Sequence, residues 1–201
     1  MKPAELGNLF WLLPDSPRQR LLLLRRQGST AGDGLEAFFA STEELLLSTP
    51  EATSGLIKEA LSGAGGDCLF VDLSNYPGKP HHILSDARNI LSALVSPSIG
   101  EGNAPGIVMF RVKGSSRLST NSRIAMLKQL LARCGFRELR TYCFSPSLLT
   151  PRHVVPATAA AARIWIGQEG GTLPKKIVKH ILVSLGLNTL LFDDHLVVGF
   201  R

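Results

Sequence analysis

Apolar residues along this chain gather in short runs between turn formers, and amphipathic stretches separate the runs. Leu21–Leu24, Asp67–Leu73 (DCLFVDL) and Ile107–Val112 are compact apolar segments, the form a strand takes when its sheet is covered on both faces. Residues 14–17 (Pro-Asp-Ser-Pro) read as a turn before the first run, and Leu35–Ala40 as a further strand beyond the loop Gly28–Gly34. Phe136–Phe144 and Leu196–Phe200 read as the last two strands. Thr49-Pro50-Glu51 opens a helix that runs to Leu61, with Pro at the first position and an acid in the first turn. Ile83, Ala87, Ile90, Leu91 and Leu94 share one face of a helix over 83–95. Ile124, Leu127, Leu130 and Leu131 do the same in the next helix, and Gly135 stands where its end needs a left-handed residue. Strands alternating with helices imply right-handed crossovers and a largely parallel sheet.

After Phe144 the pattern changes. Residues 145–156 are extended and punctuated by proline, 157–162 are small and flexible, and 163–166 form a short apolar piece. Pro174 then opens a basic amphipathic helix to Leu185, closed by Gly186. Lys175, Lys176, Lys179 and His180 line one side of it, opposite Ile177, Ile181 and Leu185. The apolar side is expected to dock on the body of the protein. That leaves the basic side for an acidic protein partner or a phosphate-bearing ligand, or simply for solubility.

Two local features carry a family resemblance. Ala104-Pro105-Gly106 precedes the Ile107 strand, and Gly135-Phe136 precedes the next, which leads into the proline-rich excursion. This half of the chain resembles the class I S-adenosylmethionine-dependent methyltransferases, in which a PGG turn precedes the fifth strand and GF precedes the sixth. The resemblance implies a single Rossmann-like, three-layer α/β domain over residues 1–201 with a mostly parallel sheet. It also implies a C-terminal strand inserted antiparallel beside the sixth, so that 145–195 form an insertion between strands six and seven.

In that family the cofactor lies at the carboxyl ends of the first strands, behind an acid followed by GxGxG. This chain reads Arg25-Arg26-Gln27-Gly28-Ser29-Thr30-Ala31-Gly32-Asp33-Gly34: a basic pair replaces the acid, and the glycines have GxxxGxG spacing. About ten residues separate the two strands, too few for a crossover helix and its turns. Gly28–Gly34 is therefore either a nucleotide-cradling loop or a plain hairpin turn around Gly-Asp-Gly. If the loop is functional, Gly28, Gly32 and Gly34 approach S-adenosylmethionine closely. Glu43 (or Glu44) then takes the ribose hydroxyls, unless it is a helix-start acid. Asp72 and Ser74, with Asn75, fall at the cofactor–substrate junction, though an Asp-x-Ser after a strand is equally a turn. His81, beside His82, and His153 are candidate general bases for a methyl acceptor, and Tyr76 and Arg152 candidate substrate contacts; loop-surface roles are the alternatives.

Composition narrows the function classes. The 201 residues are 44% hydrophobic and 19% charged, which suits an ordinary globular protein with a sizeable core. The net charge of +6 admits an anionic substrate, an acidic partner or nucleic acid. With two Tyr and two Trp, the chain lacks the interleaved aromatics expected of a single-strand-binding platform, and nucleic acid is not favoured. Three cysteines (Cys68, Cys134, Cys143) without CxxC spacing read as reduced thiols, and no metal site is expected. No apolar run is long enough to span a membrane, and Pro14-Asp15 interrupts Leu9–Leu13, so the expected location is cytoplasmic. GxSxG, P-loop and HExxH motifs do not occur. Two main readings follow: a methyltransferase acting on a small molecule, glycan or peptide, or a methyltransferase-like subunit that binds or regulates without catalysis. A third is an anion- or nucleic-acid-binding module.

Overall fold

A computed structural model describes residues 20–25, 29, 39–46, 59, 68–73, 87–92, 105–113, 117–148 and 151–201. Seven strands form one mixed sheet: β1 (Arg20–Arg25), β2 (Ser41–Leu46), β3 (Cys68–Asp72), β4 (Ile107–Lys113), β5 (Glu138–Ser145), β6 (His153–Pro156) and β7 (Asp194–Phe200). Their order is β2-β1-β3-β4-β7-β5-β6. β2, β1, β3 and β4 are mutually parallel, β7 runs antiparallel to both β4 and β5, and β6 folds back on the outer edge of β5. The architecture is α/β and Rossmann-like, with the C-terminal strand antiparallel inside the sheet.

Burial explains the centre of the sheet. The apolar runs of β1, β3, β4 and β7 are buried on both faces, which is why they read as continuous rather than alternating. Side chains separate by the two-residue period of a strand. Leu22, Leu24, Leu69, Val71, Val108, Phe110 and Val197 form one core with Ile124, Leu127 and Leu131 of helix α1 (Arg117–Arg133) and with the helical stretch 87–92. Leu21, Leu23, Phe70, Met109, Phe144, Leu196 and Val198 form the opposite core.

β2 corrects two expectations. It begins at Ser41, beyond the expected Leu35–Ala40, and it is parallel to β1, so β1 and β2 are not a hairpin; the Gly-Asp-Gly turn and most of 35–40 lie outside the described residues. STEELL is too polar to be recognised as a strand by burial, and its pattern is largely exposed. It is held instead at the sheet edge by ion pairs across to β1: Arg20 with Glu43, and Arg25 with Glu44.

Two left-handed glycines end helices as the sequence suggested. At α1, Gly135 (φ 85°) donates to Ala132 O and Phe136 donates to Leu131 O, the paired bonds of a Schellman cap. Gly186 (φ 73°) ends helix α3 (Leu173–Ser184) in the same way, with Gly186 N–H on Val183 O and Leu187 N–H on Leu182 O.

Residues 157–166 are not a flexible linker followed by an apolar piece. They belong largely to helix α2 (Ala159–Gln168), because an alanine run has the best helix propensity and the Thr158 hydroxyl caps it from Ala161 N–H at 3.2 Å. Between β5 and β7 the chain thus contributes β6, α2, α3 and a 3-10 turn at Asn188–Leu191.

α3 is turned opposite to expectation. Ile177, Ile181 and Leu185 are exposed, while Lys176, Lys179 and Leu182 are half-buried and Val183 is buried against Trp165, Phe192 and Cys143. The reason is local: Lys179 pairs with Glu169 and lies 4.7 Å from the centre of the Trp165 ring, so its side chain is answered on the inner side. The predicted helices over 49–61 and 83–95 lie mostly outside the described residues.

Candidate functional site at the carboxyl edge of the sheet

From β1 the chain lays down β2 on one side and then returns to the other side of β1 for β3. The order reverses at the β1/β3 boundary, and open α/β sheets bind ligands at the carboxyl edge of such a switch point. Ser29, four residues beyond β1, donates its hydroxyl across this boundary to Asp72 Oδ2, at the end of β3, at 2.5 Å. The loop after β1 and the end of β3, assigned separately to a cofactor site, therefore meet.

Asp72 also belongs to a buried charge cluster. β3 and β4 place Asp72 beside Arg111, and β4 and β7 place Arg111 diagonally from Asp194 on the same face. Arg111 donates Nε–H to Asp194 Oδ1 at 3.1 Å and Nη2–H to Oδ2 at 2.7 Å, a bidentate pair, and its Nη1 lies 3.7 Å from Asp72 Oδ1. The Leu148 N–H donates to Asp194 Oδ2 at 3.0 Å, tying the segment after β5 to the same carboxylate. All three side chains are almost wholly buried, with Asp194 at 0% exposure. Burial pushes Arg111 down, but its hydrogen bonds to Asp194 and the charges of both aspartates outweigh it, so the guanidinium sits above its ordinary value. It is a fixed cation. Sequence reasoning singled out neither Arg111 nor Asp194 as a site residue, reading Arg111 with Lys113 as surface charge; the signal available was a lone arginine inside the apolar run IVMFRVK, where it is buried.

On the opposite face of β7, buried His195 donates Nε2–H to Thr189 O at 3.0 Å, and the Thr189 hydroxyl donates to Asn121 Oδ1 at 2.5 Å. Burial, the largest influence, holds His195 below its usual pKa. The unfolded chain, with a histidine pKa near 6.5, binds this proton more readily than the folded one. Stability from His195 is therefore complete above about pH 6.5 and is lost as pH falls below it, by up to about 1.4 kcal/mol per pH unit. Urea midpoints measured at pH 7.5 and 5.5 should fall less in His195→Gln, which keeps a donor for Thr189, than in the wild type. Equal falls would contradict a buried neutral His195.

The other candidates divide. Glu43 and Glu44 are answered by Arg20 and Arg25; Arg25 binds Glu44 through two bonds of 2.8 and 2.9 Å and holds that carboxyl below its ordinary range. Arg152 and His153 are exposed and line a cavity of about 340 Å³ with Pro156, Ile164, Trp165 and Gln168. Gly28, Gly32, Gly34, Ser74, Tyr76 and His81 lie outside the described residues. A second cavity of about 500 Å³ opens between α2 and α3, lined by Ser145, Trp165, Glu169, Lys175, Lys179 and apolar groups that include Leu182 and Leu191. Ser145 ends β5 at the same carboxyl edge as Asp72, three strands across, or about 14 Å. Cys143 is pushed up to about 12 and Cys134 is raised, both chiefly by burial, so neither is a thiolate nucleophile at neutral pH.

Among the described residues no cluster of three His, Cys, Asp or Glu could hold a metal ion, and no helix is long and apolar enough to cross a membrane. No family model matches the chain, and no curated protein matches it in sequence. Solved structures do resemble it weakly. A Galdieria sulphuraria protein, provisionally named a sarcosine dimethylglycine methyltransferase, is 11% identical with a TM-score of 0.40, over 98% of this chain and 83% of its own. Phosphoethanolamine N-methyltransferase 2 of Haemonchus contortus, solved with phosphomonomethylethanolamine and S-adenosylhomocysteine, is 13% identical with a TM-score of 0.42, over 100% of this chain. The chain spans about half the length of the Haemonchus enzyme, 53% of it.

Proposed function

We propose that the chain is an S-adenosylmethionine-dependent methyltransferase that holds its cofactor at the β1/β3 edge and acts on a small molecule, glycan or peptide. The observation that carries this reading is the Ser29–Asp72 hydrogen bond, which brings Ser29, four residues beyond β1, to the end of β3 at the switch point. Asp72 and the Gly28–Gly34 loop would hold the cofactor, with Ser74 beside them. The bound cofactor supplies an already activated methyl group on a sulfonium, so the protein's task is alignment of the acceptor rather than activation. The cavity of about 340 Å³ that Arg152 and His153 line suits the acceptor, which Arg152 and Tyr76 would contact. His81 or His153 would take the proton that an oxygen or nitrogen acceptor releases.

A second reading, a methyltransferase-like subunit without catalysis, is favoured by one specific observation. Both acids of β2 are engaged by β1 arginines, so a ribose would have to displace an ion pair to reach Glu43 or Glu44. Calorimetric titration of S-adenosylhomocysteine separates the two. The first reading expects saturable heat in the wild type and none in Gly32→Val, whose melting temperature stays within a few degrees. Absence of heat at millimolar ligand in the wild type would hand the fold to the second reading.

A further inference from the structure

We infer that α3 is a docking face for an anionic lipid bilayer surface. The helix is amphipathic, but it is mounted inside out. Leu173, Ile177, Val178, Ile181 and Leu185 are between 52% and 72% exposed, while the inner side carries Lys176, Lys179 and Val183. Spaced at i, i+4, i+8 and i+12, with Val178 beside them, the exposed five make one continuous aliphatic ridge. Soluble proteins expose single apolar residues commonly, but a contiguous ridge marks a contact surface.

Charge decides what covers it. Neither α2 nor α3 contains an acidic residue, and the ridge is flanked by exposed His180 on one side and exposed Lys175 on the other, with half-buried Lys176 at its border. Glu169, between the helices, is already paired with Lys179. A second copy docking through the same ridge would set these cations against their like, with no acid on either helix to answer them. An anionic bilayer answers both features: aliphatic side chains enter the headgroup–acyl boundary and the flanking cations meet lipid phosphates and carboxylates.

The test is cosedimentation of the full chain with vesicles of phosphatidylcholine alone and of phosphatidylcholine with about a third phosphatidylserine. The wild type should pellet with the anionic vesicles, weakly with the neutral ones, and less as salt rises. Ile177→Ser combined with Ile181→Ser changes only exposed positions. It should keep the wild-type circular dichroism and melting temperature while lowering partitioning by at least about tenfold. Lys175→Glu with Lys176→Glu should abolish the preference for phosphatidylserine. Failure of the wild type to pellet, or unchanged partitioning of the Ile177/Ile181 variant, would overturn the inference. So would light scattering that shows a dimer lost in that variant without vesicle binding, or capture by an acidic peptide resin alone. None of these outcomes depends on whether the β1/β3 edge binds S-adenosylhomocysteine.

Discussion

Asp194→Ala should lower folding stability by about 3–5 kcal/mol, because it strips a buried guanidinium of its bidentate partner. Asp72, with its nearest oxygen 3.7 Å from Arg111, replaces only part of the lost interaction. The Leu148 N–H loses its acceptor as well, which anchors the segment after β5. Against a typical total of about 5–15 kcal/mol this is a large fraction, visible as a drop in the urea midpoint. The double variant Arg111→Met, Asp194→Leu removes both charges and should recover most of the loss, since a buried ion pair is costly to break but inexpensive to replace as a unit. A loss below about 1 kcal/mol in Asp194→Ala would mean that water reaches Arg111 from the sheet edge.

Val71→Asp should prevent folding altogether. Val71 is fully buried, with Leu24 and Phe110 as its register partners on either side, and neither offers a hydrogen bond to a carboxylate. An unpaired charge at such a position costs more than the stability of most domains, unless the group stays protonated. Val71→Ala is the control: it removes only methyl groups and should cost about 1–3 kcal/mol while preserving a cooperative transition. A wild-type denaturation curve for Val71→Asp would contradict the placement of β3 between β1 and β4.

How legible the fold was depends on how each element is stabilised. β1, β3, β4 and β7 are held by burial on both faces, so their apolar runs announced them, and the Gly135-Phe136 cap located the end of α1 and the approach to β5. β2 is held by Arg20–Glu43 and Arg25–Glu44, contacts between residues about 20 apart that no local pattern reveals. α3 misled for a similar reason. Its periodicity is genuine, but periodicity gives two faces without saying which one turns inward. Glu169 and Trp165 decided that by answering Lys179. At the site, Asp72 was visible as a polar residue closing an apolar strand. Its partners Arg111 and Asp194 depend on strand order and register, and Asp194 comes from the chain's last strand, which enters the sheet beside β4.

The central claim is that the carboxyl edge at β1 and β3 binds S-adenosylmethionine, and hydrogen–deuterium exchange tests both the binding and its place. With millimolar S-adenosylhomocysteine, peptides covering residues 24–34 and 69–76 should exchange more slowly, while peptides covering α3 should not change. Unaltered exchange at both edge segments, or protection confined to other parts of the sheet, would contradict the assignment.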